Sequence, residues 1–188
     1  MALIDLVRGT PTPEEVVRQH SGDVHRLLRR IFGPGADVED LFQAAFVEVL
    51  RSLPTFRGRS KLRTWIHRIT LNVAYQEMRM QYRERAVRAH KDIDQFTCEP
   101  DVERRLEEEE ALRALYVALE TLEPKKRMAV VLHDLEEHTL KEIGELLGRP
   151  LQTVASQLKA GRSDLSSYFA RKEREEASRT SIESRGAT

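Results

Sequence analysis

The chain has 188 residues, enough for one ordinary domain or two small ones, and its 31 basic and 31 acidic residues cancel. Whole-chain charge therefore excludes no class of partner, and only the distribution of charge is informative. The single cysteine, Cys98, excludes an internal disulfide framework, and the six scattered histidines include no pair at the i,i+4 spacing of a helical metal site.

The first residues, MALIDLVRGTPTPEE, hold too short an apolar run for a signal peptide, and Asp5 lies inside it. No window approaches the roughly 18 apolar residues of a membrane span. The expectation is a soluble cytoplasmic protein with no cofactor, no metal and no membrane insertion. Strand signals are nearly absent and helical periodicity is nearly continuous, so the fold class is all-α.

Thr12, Pro13, Glu14 and Glu15 predict a helix start, with a cap, a proline at the first position and acids in the first turn. The pattern passes through Val16 and Val17 and on to Val24, Leu27, Leu28 and Ile31, and Gly33, Pro34 and Gly35 break it. Asp37 is placed to cap the next helix, with Glu39 and Asp40 favourable at its positive end. There Leu41, Phe42, Ala45, Phe46, Val49, Leu50 and Leu53 form one wide apolar stripe, which Pro54 ends.

Residues 55–79 read TFRGRSKLRTWIHRITLNVAYQEMR. Arg57, Arg59, Lys61, Arg63, Arg68 and Arg79 stand there against the single acid Glu77, with Phe56, Trp65 and Tyr75 among them. Cations hold a phosphate backbone and aromatic faces receive unstacked bases, so this stretch points to nucleic acid. A merely solvated basic face over a core tryptophan is the competing reading. The helix containing Trp65 is expected to run to about Arg88.

From about His90 to Asp101 the periodicity fails, which predicts a linker. An acidic tract follows, in which Leu106, Leu112, Leu115 and Leu119 keep helical spacing. After Pro124 one helix is expected through Met128, Val131, Leu132 and Leu135. Thr139 and Glu142 then form a capping box for a helix that presents Ile143, Leu146 and Leu147 and stops at Gly148. Thr153 is expected to cap the following helix, with Val154 and Leu158 buried. This is a helix-turn-helix, a motif also found in proteins that bind no DNA. The tail from about Arg171, charged and then serine-rich, reads as disordered. The resulting division is two small helical domains at 12–90 and 111–170, with a linker and acidic helix start at 91–110 and a tail at 171–188.

Both halves resemble the bacterial sigma-70 family, in the compact extracytoplasmic-function (group 4) arrangement. The first half resembles region 2 on Asp37, Glu39, Asp40, Leu41, Gln43, Phe46, Phe56, Arg57, Trp65, Arg68, Asn72 and Arg79. The second resembles region 4 on Leu122, Pro124, Thr139, Ile143, Gly148, Pro150, Thr153, Val154, Ser156, Leu158 and Arg162. The resemblance implies a non-enzymatic subunit that joins core RNA polymerase and reads promoters, and that an anti-sigma factor holds inactive.

Carried over residue by residue, it implies polymerase docking by Asp37, Glu39, Asp40, Leu41, Gln43 and Phe46. Single-stranded −10 DNA falls to Phe56, Arg57, Arg59, Ser60, Lys61, Arg63, Trp65, Arg68, Asn72 and Arg79, with Phe56 and Trp65 stiffening the loop from beneath. Duplex −35 DNA falls to Thr139, Gln152, Thr153, Ser156, Gln157, Lys159 and Arg162. The chain departs from the pattern at Ala155 and Gln157, where cations are usual, at Gln76, where an acid is usual, and at Gly161, where alanine is common. Gly161 is expected to weaken its helix by about 1 kcal/mol. The rival readings are a plain helix-turn-helix regulator and a sigma-like interaction protein without promoter activity.

Overall fold

The computed structural model describes residues 11–88 and 105–186, and all regular structure among them is helical. The expected linker and Cys98 lie outside the described residues.

The N-terminal bundle begins with α1, Pro13–Phe32, which carries the predicted cap. The Thr12 hydroxyl accepts from the Glu15 amide at 3.3 Å, and the Glu15 carboxylate accepts from the Thr12 amide at 3.0 Å. Val24, Leu27, Leu28 and Ile31 are buried along one face. In α2, Glu39–Ser52, Val38 and not Asp37 is the N-cap, and no side chain makes the capping bond; Asp37 stands one residue earlier, where its carboxylate accepts from the Glu39 amide at 3.1 Å. A 3-10 turn at Leu53–Thr55 leads into the basic loop, and α3 spans Leu62–Arg88. It buries Ile66, Thr70, Leu71, Ala74 and Met78, and the Thr70 hydroxyl is satisfied by donating to the Ile66 carbonyl at 3.0 Å.

The C-terminal bundle comprises α4 (Arg105–Thr121), α5 (Pro124–Val130), α6 (Leu140–Leu147) and α7 (Leu151–Gly186). Three features differ from the sequence reading. The helix expected from Pro124 to Leu135 changes character at Val131–Leu135, a π-turn closed by the Glu136 amide donating to the Val131 carbonyl at 3.0 Å. Thr153 does not cap α7. The helix starts two residues earlier, and the Thr153 and Val154 amides both donate to the Pro150 carbonyl, because proline presets the entering backbone. The tail read as disordered continues α7 to Gly186, since no residue between 163 and 185 is glycine or proline. Arg171 lies 3.9 Å from Glu175 one turn on, the spacing that supports an exposed helix.

The buried residues of both bundles form one connected apolar cluster, from Val16 and Ile31 through Ile66 to Met128, Ile143 and Leu158.

Candidate nucleic-acid interface

The loop before α3 turns at Gly58, whose φ of +66° is the left-handed conformation open to glycine. Arg57, Arg59, Ser60 and Lys61 are all exposed around it. Phe56 and Trp65 lie beneath, half-buried, with ring centres 5.2 Å apart and planes tilted by 49°. Their mutual packing fixes the loop and leaves the cations above it facing water. Along α3, Arg68, Asn72 and Arg79 are exposed. The Arg79 guanidinium stands 5.9 Å from the centre of the Tyr75 ring, and Arg63 pairs with Asp23 of α1 at 3.0 Å.

Close by, His20 and His67 are partly buried. Burial lowers both pKa values; at His20 Asp23 opposes this and Arg63 adds to it, and at His67 Arg63 adds before Asp23 opposes. His67 also feels His138 of the C-terminal bundle.

On α2, Asp37, Glu39, Asp40 and Gln43 form an exposed polar face, and the Gln43 amide donates to Glu39 at 3.5 Å. Leu41 is half-buried against the core, and Phe46 is buried with its ring 5.0 Å from that of Phe42. The structure thus separates the six candidates into an outward polar set and two residues that seat the helix.

The first helix of the helix-turn-helix has the predicted ends. The Glu142 carboxylate accepts from the Thr139 amide and hydroxyl, both at 2.8 Å, and these bonds hold its pKa below the usual carboxylate range. Thr139 is therefore engaged in starting α6. Gly148 ends that helix at φ +62°. The first nine residues of α7 present Gln152, Ser156 and Lys159 to solvent, with Thr153 and Gln157 half-buried. Arg162 turns away from them to pair with Asp134, its Nε donating at 3.0 Å. That guanidinium, aided by His133 at 2.8 Å, holds the Asp134 carboxyl below its ordinary range.

Sequence reasoning missed Arg149. It stands between Gly148 and Pro150 and donates to Gln157 Oε1 at 3.2 Å, so a guanidinium sits beside a position where a cation is usual. A basic residue inside a helix-turn-helix turn was the available signal. Tyr75, one of the three aromatics noted in that basic stretch, receives Arg149 over its ring at 5.2 Å.

Comparison with known proteins follows this division. Residues 16–84 match the family described as Sigma-70 region 2, and residues 112–165 match Sigma-70, region 4. The ECF RNA polymerase sigma factor SigE of Mycolicibacterium smegmatis is 37% identical over 168 residues, covering 89% of this chain and 65% of that protein. The ECF RNA polymerase sigma-E factor of Escherichia coli K12 is 29% identical over 154 residues, covering 76% and 78%. This chain thus spans a little under two thirds of the mycobacterial relative and more of the enterobacterial one. The sigma factor RpoE from Bartonella quintana, solved in complex with the anti-sigma factor NepR, superposes with a TM-score of 0.57 at 19% identity, covering 84% of this chain and 96% of that one. That likeness bears on the fold alone.

Proposed function

Because the chain belongs to the extracytoplasmic-function sigma factors of the sigma-70 family, we propose that it binds core RNA polymerase, recognises −10 and −35 promoter elements and starts transcription of a particular set of genes. The observation that carries this is the pairing, on one chain, of an exposed cationic loop over a Phe56–Trp65 support with a helix-turn-helix. A plain duplex-binding regulator has no need of the first. The protein performs no chemistry of its own, and the polymerase is the catalyst.

In this reading Arg57, Arg59, Ser60, Lys61, Arg68, Asn72 and Arg79 hold the single-stranded −10 element, while Phe56 and Trp65 set the loop that receives an extruded base. Gln152, Thr153, Ser156, Gln157 and Lys159 enter the major groove of the −35 element, joined by Arg149. Thr139, Arg162 and Arg63 act mainly by holding the fold. The acidic and amide face of α2 meets the polymerase. An anti-sigma protein is a further partner, as for the Bartonella relative, and the site of action is the cytoplasm. No helix among the described residues is long and apolar enough to cross a membrane.

Run-off transcription from genomic fragments, with purified core polymerase and with or without this protein, tests the proposal. New discrete start sites are expected. Binding to core without new starts would favour the inactive sigma-like protein, and no binding to core would leave the helix-turn-helix regulator.

A further inference from the structure

The outer face of α1 carries Arg18, Gly22 and Arg26, all exposed and each four residues from the next. That spacing stacks them on one side of the helix, opposite the buried Val24, Leu27 and Ile31. Between Arg18 and Arg29 the only acid is Asp23. Arg18 pairs with no acid among the described residues, and Arg29 is turned to the Pro34 carbonyl at the helix end.

Arg26 of α1 and Arg63 of α3 converge on the Asp23 carboxylate, Arg26 Nη2 on one oxygen and Arg63 Nε on the other, the latter at 3.0 Å. The carboxylate side chain is 20% exposed, whereas the guanidiniums are 70% and 63% exposed. Each arginine therefore uses one edge on Asp23 and turns the rest of its five donors to water. An ion pair this open adds little to stability. What it does is fix two cations from different helices side by side, with net positive charge. Arg63 also follows directly on the exposed run of Arg57, Arg59, Ser60 and Lys61, so the α1 stripe continues the basic loop.

Gly22 has no packing reason to be glycine. A Cβ there would meet a single group within 4 Å, Arg26 Nη1 at 3.4 Å, whereas Gly144 and Gly161 are pressed to 2.8 Å by neighbours. Nor does it take a positive φ. Glycine inside a helix is destabilising relative to alanine, and one use of it is close approach of a ligand to the backbone. Arg18 and Arg26 are about 12 Å apart along the axis, and the bare backbone between them leaves room for a phosphodiester. No phenylalanine, tyrosine or tryptophan is exposed on α1, so nothing there receives a base.

We infer that Arg18, Gly22 and Arg26 of α1, with Arg63 of α3, form a further phosphate-binding track for single-stranded nucleic acid, continuous with the basic loop. The track holds the sugar–phosphate chain without reading sequence. Asp23 is its positioning residue, aligning Arg26 with Arg63. The inference deepens the −10 assignment and rests on it.

The test titrates the full chain, labelled with nitrogen-15, with an oligothymidylate of about twelve nucleotides at low salt. The Gly22 amide and the Nε–H signals of Arg18, Arg26 and Arg63 should shift on the same binding curve as the amides of Arg57, Arg59 and Lys61. Arg18→Gln with Arg26→Gln should weaken binding about tenfold. It should also reduce the slope of log affinity against log salt by about 1.4, two phosphates at ~0.7 each. Gly22→Leu keeps every charge and improves helix propensity. It should raise the melting temperature by about 3 °C and yet weaken binding about threefold, because the new side chain fills the gap.

Shifts confined to the loop and α3, or undiminished affinity in the Gly22→Leu variant, overturn the track. So does the absence of any shift. Run-off transcription judges the sigma assignment separately, since the titration needs no polymerase. New start sites without a response on α1 remove the track alone. A response on α1 without start sites upholds the track and removes the sigma assignment.

Discussion

A Cβ at position 161 would lie 2.8 Å from Val130 Cγ2 and 3.3 Å from the Lys126 carbonyl. Helix propensity alone makes Gly161 a defect in α7, worth about 1 kcal/mol relative to alanine. The packing reverses that reading, because the missing side chain is what lets α7 lie against α5. Gly161→Ala should therefore lower stability by about 1–2 kcal/mol despite its better propensity, since overpacking costs more than propensity returns. Urea denaturation decides it, and a gain of about 1 kcal/mol would show that α5 simply moves aside. The cations follow the same logic. Sequence placed Arg63 and Arg162 with Arg57 and Arg68 as equals, whereas Asp23 and Asp134 hold the first two. An ion partner distant in sequence leaves no local signal.

Among the elements, those with local stop and start chemistry were legible from the residues. The boxes at Thr12 and Thr139, and the αL cap at Gly148, appear where their residues predict. Thr139→Ala should destabilise the C-terminal bundle by about 1 kcal/mol, the usual worth of a threonine cap, and thermal melting followed at 222 nm measures it. If duplex affinity falls without any change in melting, Thr139 contacts DNA directly rather than through α6. The π-turn at Val131–Leu135 was not legible. Its apolar residues continue the helical period unbroken, and the Leu135 carbonyl at its end accepts from Arg30, a partner far away in sequence. Nor was the length of α7, where a serine-rich composition suggested disorder but no breaker intervenes.

For the molecule as a whole, the sequence foretold two helical units and nothing of their contact. Arg127 reads as one more surface charge in a run of basic residues, yet it is buried beneath the end of α1. Acid should weaken the folded chain at two histidines of the N-terminal bundle. Burial lowers the pKa of His20 and His67, so between their folded values and the ordinary 6.5 the unfolded chain binds more protons than the folded one. Stability is therefore full above about pH 6.5 and is lost as pH falls below it. The facing groups are Asp23, which favours protonation, and Arg63 and His138, which oppose it. His67→Gln should flatten the stability profile between pH 7 and pH 5 in urea titrations, and an unaltered slope would remove His67 from this role.

The 36 residues of α7 also make it a rigid lever. At 1.5 Å per residue it is about 54 Å long, and those of its side chains proposed to enter the groove all lie within its first nine residues. A tilt of ten degrees at that end sweeps the opposite tip through about 9 Å. A fluorophore near Lys172, exposed and two turns beyond the bundle contacts of Leu165, would turn small reorientations of the reading head into displacements that a single-molecule trace can follow.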